Sequence, residues 1–287
     1  METTTERKQT YSWKQINWES ESEDDVCKEV EALLENGKSV NQGNMLGETP
    51  IFYAVKNRHS KVIKMLLEHG ADVEKRNAWG ETPLMKAAFL GTPKTIEELV
   101  KAGANIEARS ADGKTALMMA ACCENSDNVK KLLELGAEVN SYDRFSKSPL
   151  MIATENDKTE SVRLLIEAGA GLEAQNDEGL TALDLAFTKE TRDIIETAIN
   201  RQKEQNKTSE IKKTQESRAS LRAKLSEKKK EIREIITDLT KTTPDRHSLA
   251  VRLQNFRKDY GVKAKSIAKN DVFVKSLCQK IKDRERS

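Results

Sequence analysis

An all-α repeat solenoid, made of helix-turn-helix units with projecting hairpins and followed by a basic α-helical tail, is the architecture this sequence predicts. Three observations predict it. Tetrapeptides beginning at Thr49, Thr82, Thr115, Ser148 and Thr181 (TPIF, TPLM, TALM, SPLM, TALD) recur at a constant step of 33 residues. A Gly-Ala pair keeps the same step at Gly70, Gly103, Gly136 and Gly169. So does the apolar pair before it: Leu66-Leu67, Leu99-Val100, Leu132-Leu133 and Leu165-Ile166.

Each feature has a physical task. The hydroxyl residue suits a helix N-cap, where a side-chain oxygen accepts from an orphan backbone N–H. Pro50, Pro83 and Pro149 follow at the first helical position, where a missing N–H costs nothing, and Ala116 and Ala182 replace them in two units. Small pairs, Ala87-Ala88 and Ala120-Ala121, let neighbouring helices approach closely. A second helix carries the Leu pair on its buried face, and the glycine fits the left-handed position that ends it. The ten or so residues that follow, such as 71–80, have turn character and should form the projecting hairpin.

Residues 1–23 read as an N-terminal extension or cap. Ile16-Asn17-Trp18-Glu19 stands where the helix-start motif should be, and a second helix survives as Asp24–Asn36, stopped by Gly37. Trp13, Ile16 and Trp18 are expected to cover the open end of the stack, since terminal repeats need capping. The repeat domain covers 24–200 with about five to six units, the last running from Gly179 to Asn200 and ending in a polar capping helix.

The step of 33, the Thr-Pro-Leu helix start, the Leu pair and the Gly-Ala stop resemble the ankyrin repeat, over roughly 24–200. One departure is consistent. The family usually has His after Thr-Pro-Leu, where it ties neighbouring loops by hydrogen bonds; this chain has Phe52, Met85, Met118, Met151 and Asp184. The expectation is that those ties are lost and that apolar contact replaces them.

The resemblance implies that partners dock on hairpin tips and on the groove along the first helices. The residues without a framework task there include Met45, Leu46, Glu48, Trp79, Glu81, Phe89, Leu90, Asp112, Lys114, Cys122, Cys123, Arg144, Phe145 and Lys147. Trp79, Phe89, Leu90, Phe145 and Leu46 are unusually apolar for solvent positions, and large aromatics are enriched among binding hot spots.

Enzyme chemistry is not expected. There is no GxGxxG, GxSxG or HExxH pattern and no phosphate-binding glycine loop. A solenoid offers no deep dry pocket, and Asp112 and Asp184 have no second group beside them. Neither cofactor nor metal is expected: the three histidines, His59, His69 and His247, are scattered, and adjacent Cys122-Cys123 chelate poorly and read as small packing residues. Cys27 and Cys278 complete a set with no disulfide spacing, which points to a reducing compartment. The opening METTTERKQT has no apolar run and no membrane span is evident, so the expected place is the cytoplasm or nucleus.

Charge divides the chain. Residues 201–287 hold 25 Lys/Arg against 12 Asp/Glu, leaving 24 against 35 in residues 1–200. Residues 201–220 read as a polar linker, and 221–287 as a basic helical, coiled-coil-like segment. One heptad seam runs Ile211, Arg218, Leu225, Ile232, Leu239 and the other Thr214, Leu221, Lys228, Ile235. Thr243-Pro244-Asp245 starts a further helix, with Leu249, Leu253, Phe256 and Tyr260 on its apolar face, and Val274, Leu277 and Ile281 stripe a third. The seam residues Leu221, Leu225, Ile232, Ile235 and Leu239 suit self-association. Lys228, Lys229, Lys230, Lys263 and Lys265 suit an anionic ligand, nucleic acid or a membrane surface, or simply form a solvated face.

Overall fold

Helix-start and helix-stop signals only two or three turns apart cut the chain into helices too short to persist alone in water. They must bury their apolar faces against one another. The computed structural model describes residues 13–20 and 22–242. The helices expected within 243–287, with Lys263 and Lys265, lie outside the described residues, as do the side chains of Lys228, Lys229, Ile232, Ile235 and Leu239. The chain divides between Lys203 and Glu204 into two units.

In the first unit a lone helix α1 (Glu23–Glu35) precedes four helix pairs: α2 (Pro50–Lys56) with α3 (Ser60–Glu68), α4 (Pro83–Leu90) with α5 (Pro93–Lys101), α6 (Ala116–Ala121) with α7 (Ser126–Glu134), and α8 (Pro149–Glu155) with α9 (Thr159–Glu167). The first helices pack in one row, α2 on α4 on α6 on α8. The second helices, α1, α3, α5, α7 and α9, pack in another. No strand occurs among the described residues. The core is one continuous cluster threaded through both rows.

The caps explain the cuts. Thr82, Thr115 and Ser148 accept from the backbone N–H of Met85, Met118 and Met151 at 3.4, 3.4 and 3.2 Å. Thr49 departs from this: it has the extended N-cap backbone, yet its buried hydroxyl makes no capping bond. At the other end Gly70, Gly103, Gly136 and Gly169 all take positive φ, between 80° and 94°. The two backbone bonds of a Schellman motif close each stop, as in Gly70 N–H to Leu67 O (3.0 Å) and Ala71 N–H to Leu66 O (2.9 Å). Of each apolar pair only the first member, Leu66, Leu99, Leu132 or Leu165, is fully buried, and the second is half-buried.

Phe52, Met85, Met118 and Met151, which stand at the family's histidine position, are all buried. The apolar contact is therefore present. The loop ties, expected to be lost, are instead made by other residues. Asn41 accepts from Asp72 N–H (2.7 Å) and donates to Gly70 O. Glu74 accepts from Asn105 N–H, Glu107 from Glu138 N–H, and Asn140 from Gly171 N–H, at 2.8 to 2.9 Å. One side-chain oxygen thus binds the next unit's backbone at every interface from Asn41 to Gly171.

At the N-terminal end Trp13, Ile16 and Trp18 are buried. Trp18 stacks on Tyr53 with ring centroids 5.4 Å apart. Its indole N–H donates to Trp13 O, the Trp13 indole to Ser39 O (both 3.0 Å), and the His59 ring lies 2.8 Å from Trp18 O. At the C-terminal end the first helix of the last unit is reduced to turns over 182–185. Asp184 closes a reciprocal cap there, accepting from Thr181 N–H and Oγ1–H while its own N–H donates to Thr181 Oγ1. Thr191 and Ile195, in the first turns of α10 (Lys189–Thr242), are fully buried.

Residues 201–220, expected as a linker, are helical throughout, within the 54 residues of α10. Lys, Glu, Gln and Arg are strong helix formers, so a segment polar on every side still coils once a preceding turn is anchored. In the second unit the described part of α10 exposes Ile211, Leu221 and Leu225.

Asp157 makes a pH-dependent joint. Its carboxylate accepts from the Thr188 and Thr191 hydroxyls at 2.7 and 2.8 Å, which holds it below the ordinary carboxylate value of 3.8. The folded state favours the ionised form, so this contribution is present above the unfolded value and is lost as pH falls below 3.8. Asp157→Asn keeps a residue tolerant of the left-handed φ of 53°. The variant should melt below wild type at neutral pH, with the gap shrinking as thermal scans move below pH 3.8. A gap that stays constant on acidification would refute the joint.

Candidate functional site

The candidate site starts with how the hairpins are closed. Asn44, Asn77, Ser110, Asp143 and Asn176 stand one repeat apart, and a side-chain oxygen of each turns back on its own loop. Asn77 is typical: its Oδ1 accepts from Trp79 N–H (3.0 Å) and Glu81 N–H (2.9 Å), while its backbone N–H donates to Glu81 O (3.0 Å). Such Asx turns fix a short loop without a strand ladder. This set of five was overlooked in the sequence reading. Its signal was present: a short polar residue two places before each tip residue, at the 33-residue step.

Closure places Leu46, Trp79, Asp112 and Phe145 at equivalent tips, and backbone bonds join the tips in series. Ala78 N–H donates to Leu46 O (2.7 Å), Ala111 N–H to Trp79 O (2.9 Å), Arg144 N–H to Asp112 O (3.0 Å) and Asp177 N–H to Phe145 O (3.2 Å). Arg76 donates across to Gly80 O and Arg109 O, and Arg109 to Gly113 O and Tyr142 O. After the tip residue comes Gly47, Gly80 or Gly113 at positive φ; Ser146 takes that position at φ 57° and donates its hydroxyl to Asp177.

Side chains at this face divide by what holds them. Trp79 and Phe145 are 51% and 52% exposed, Leu46 and Phe89 somewhat less, and Leu90 is half-buried. The charged residues are mostly occupied within the chain. Asp112 pairs with Arg144 at 3.4 Å and Lys147 with Glu155 at 2.7 Å. Glu48 and Glu81 accept from the amides of Asn44 and Asn77. Lys114 lies near Cys122. Met45, beside Leu46, and Tyr142 are also exposed. A recess of about 380 Å³ lined by Trp13, Trp18, Asn44, Met45, Leu46 and Tyr53 adjoins the first tip.

Beyond the repeats, Leu221 and Leu225 lie exposed one turn apart on α10. Lys230 is exposed and 3.9 Å from Glu234. Among the described residues no three His, Cys, Asp or Glu side chains gather as a metal site would. No described helix is long and apolar enough to cross a membrane.

Stacked helix pairs with bonded tips and exposed aromatics at equivalent tips define a repeat solenoid. The chain belongs to the ankyrin-repeat family: the family model, described as ankyrin repeats, matches it in three copies over residues 21–77, 73–143 and 135–209. Ankyrin repeats are in general protein–protein interaction modules. Comparison with curated proteins gave no match.

The tips supply a stability test. A Cβ on Gly80 would sit 2.8 Å from Ala111 N at φ +71°, whereas one on Gly70 would meet open space at φ +80°. Gly70→Ala should cost about 1 kcal/mol, the left-handed backbone term alone. Gly80→Ala should cost at least about 2 kcal/mol, because the backbone of the next tip must also shift. Urea unfolding of both variants reads the difference; equal losses would mean that the tips are not locked together.

Proposed function

We propose that this chain is a non-enzymatic adaptor that grips a partner protein along its hairpin tips and the row of first helices. One observation supports this reading above others: Trp79 and Phe145 stand half-exposed at equivalent positions on loops whose backbone groups are already bonded. A large aromatic in water on a rigid support has little ordering entropy left to lose on binding, and truncating such an anchor typically costs about 2 kcal/mol or more. Phe89 and Leu90 extend the apolar surface onto the end of α4. Asp112 and Arg144, paired with each other, contribute register more than affinity.

The test uses the full chain as bait beside Trp79→Ala/Phe145→Ala. Proteins retained by wild type should be lost with the double variant at an unchanged melting temperature, as two exposed truncations predict. Equal capture by both baits would remove this face from consideration.

Self-association through α10 is a second reading, favoured by exposed Ile211, Leu221 and Leu225 in a mostly polar stretch of that helix. On this reading wild type has twice the monomer mass in light scattering, and Leu221→Glu/Leu225→Glu returns it to the monomer. A wild-type monomer at high concentration would end it. The nucleic-acid or anionic-membrane alternative rests on basic composition alone, and its mark would be affinity falling steeply with salt.

A further inference from the structure

Cys122 and Cys123 close α6 at the middle of the repeat stack. Their sulfurs lie 3.9 Å apart, and each is 3.1 Å from the same carbonyl, that of Met119. Both thiols therefore turn to one side of the chain, and both are partly accessible. Cys123 Sγ also lies 3.3 Å from Phe89 O, on the neighbouring first helix. In the other three helix pairs the place of Cys123 holds Asn57, Leu90 and Asn156, and the two asparagine amides donate to the carbonyls of Tyr53 and Ile152. The place of Cys122 holds Lys56, Phe89 and Glu155, so of the four pairs this one alone brings two sulfurs side by side at the end of its first helix.

We propose that Cys122 and Cys123 form a redox-responsive dithiol, in which Cys122 is the sulfur that attacks hydrogen peroxide and Cys123 the one that resolves the product. The Cys122 thiolate attacks a peroxide oxygen, the O–O bond breaks, and Cys122 sulfenic acid and hydroxide result. Hydroxide takes up the proton that Cys122 released on ionising and becomes water. The Cys123 sulfur then attacks the Cys122 sulfur, forming the S–S bond and expelling the sulfenic oxygen, which leaves as water with the Cys123 proton. In sum two thiols and one peroxide give one disulfide and two waters: the sulfurs are oxidised and the peroxide reduced.

The surroundings favour this order. The Cys123 S–H beside it, together with Lys114 and Lys158, draws the Cys122 thiol down to about 7, against burial that opposes ionisation. Cys123 is held upward by the same contact and by burial. A helix C-terminus by itself disfavours an anion, so the two lysines are needed. Adjacent Cα atoms are about 3.8 Å apart, closer than ordinary disulfides allow. The ring therefore stores strain and is readily reduced, as regulatory disulfides are. Closing it must distort the turn that follows α6 and withdraw Cys123 from Phe89. Cys27, raised by burial and by Glu23 and Asp24, serves as an internal control.

The test treats reduced full chain with hydrogen peroxide, alkylates the remaining thiols, and reads peptides by mass spectrometry. The peptide carrying Cys122 and Cys123 should lose two hydrogens and escape alkylation at least about tenfold faster than Cys27 is consumed, and dithiothreitol should restore it. In Cys123→Ser, dimedone should trap a sulfenic acid on Cys122; in Cys122→Ser, Cys123 should remain alkylatable. The proposal is overturned if both thiols stay alkylatable at doses that oxidise free glutathione, if Cys122 proceeds to sulfinic acid without ring closure, or if the sulfurs link only between molecules.

Discussion

None of the helices from α2 to α9 exceeds nine residues, and a helix that short does not hold its shape in water. Everything else in the first unit answers that constraint. Each helix survives because Leu66, Leu99, Leu132 or Leu165, with Met85, Met118 and Met151, is sealed between two neighbours. Burying each such side chain contributes about 1.5–3 kcal/mol relative to exposure. The main helix contacts are within a unit or between adjacent units, so the ends of the stack matter as much as its middle. The two tryptophans at one end and the Thr181–Asp184 cap with buried Thr191 and Ile195 at the other deal with faces that would otherwise meet water.

Polar bonding then converts a packed stack into a positioned one. Apolar contact sets distance but not register. Register comes from Asn41, Glu74, Glu107 and Asn140, each reaching one unit onward, and from the Asx turns that fix each tip. The histidine that usually ties such loops in the family is absent, and its work is divided among these carboxylates, amides and Arg76 and Arg109. With the loops bonded inwardly, Trp79 and Phe145 are left as the groups with nothing of their own chain to satisfy.

How much of this was legible follows from which interactions leave a periodic trace. The helix starts at Thr82, Thr115 and Ser148 and the stops at Gly70 and Gly103 were readable because one residue type performs one local task at a fixed step. The exposure of Trp79 and Phe145 followed by subtraction, as residues without a framework task. The inter-unit ties were not readable, because Asn41, Glu74, Glu107 and Asn140 share only a side-chain oxygen and not a residue type. Thr49 looks like its equivalents in sequence, yet its hydroxyl makes no cap, which no local pattern reveals. Residues 201–220 carry one large apolar residue, Ile211, so most of the stretch leaves no apolar periodicity, the usual helix signal, although it is helical.

The serial backbone bonds between tips carry an implication for how such a surface can change. The main-chain bonds that join the tips at Leu46, Trp79, Asp112 and Phe145 do not depend on which side chains those residues carry. Lettering on the edge can therefore be rewritten one tooth at a time while the comb keeps its spacing. The scaffold at these four places is thus written in main-chain atoms, and the side chains there can vary while it stays intact.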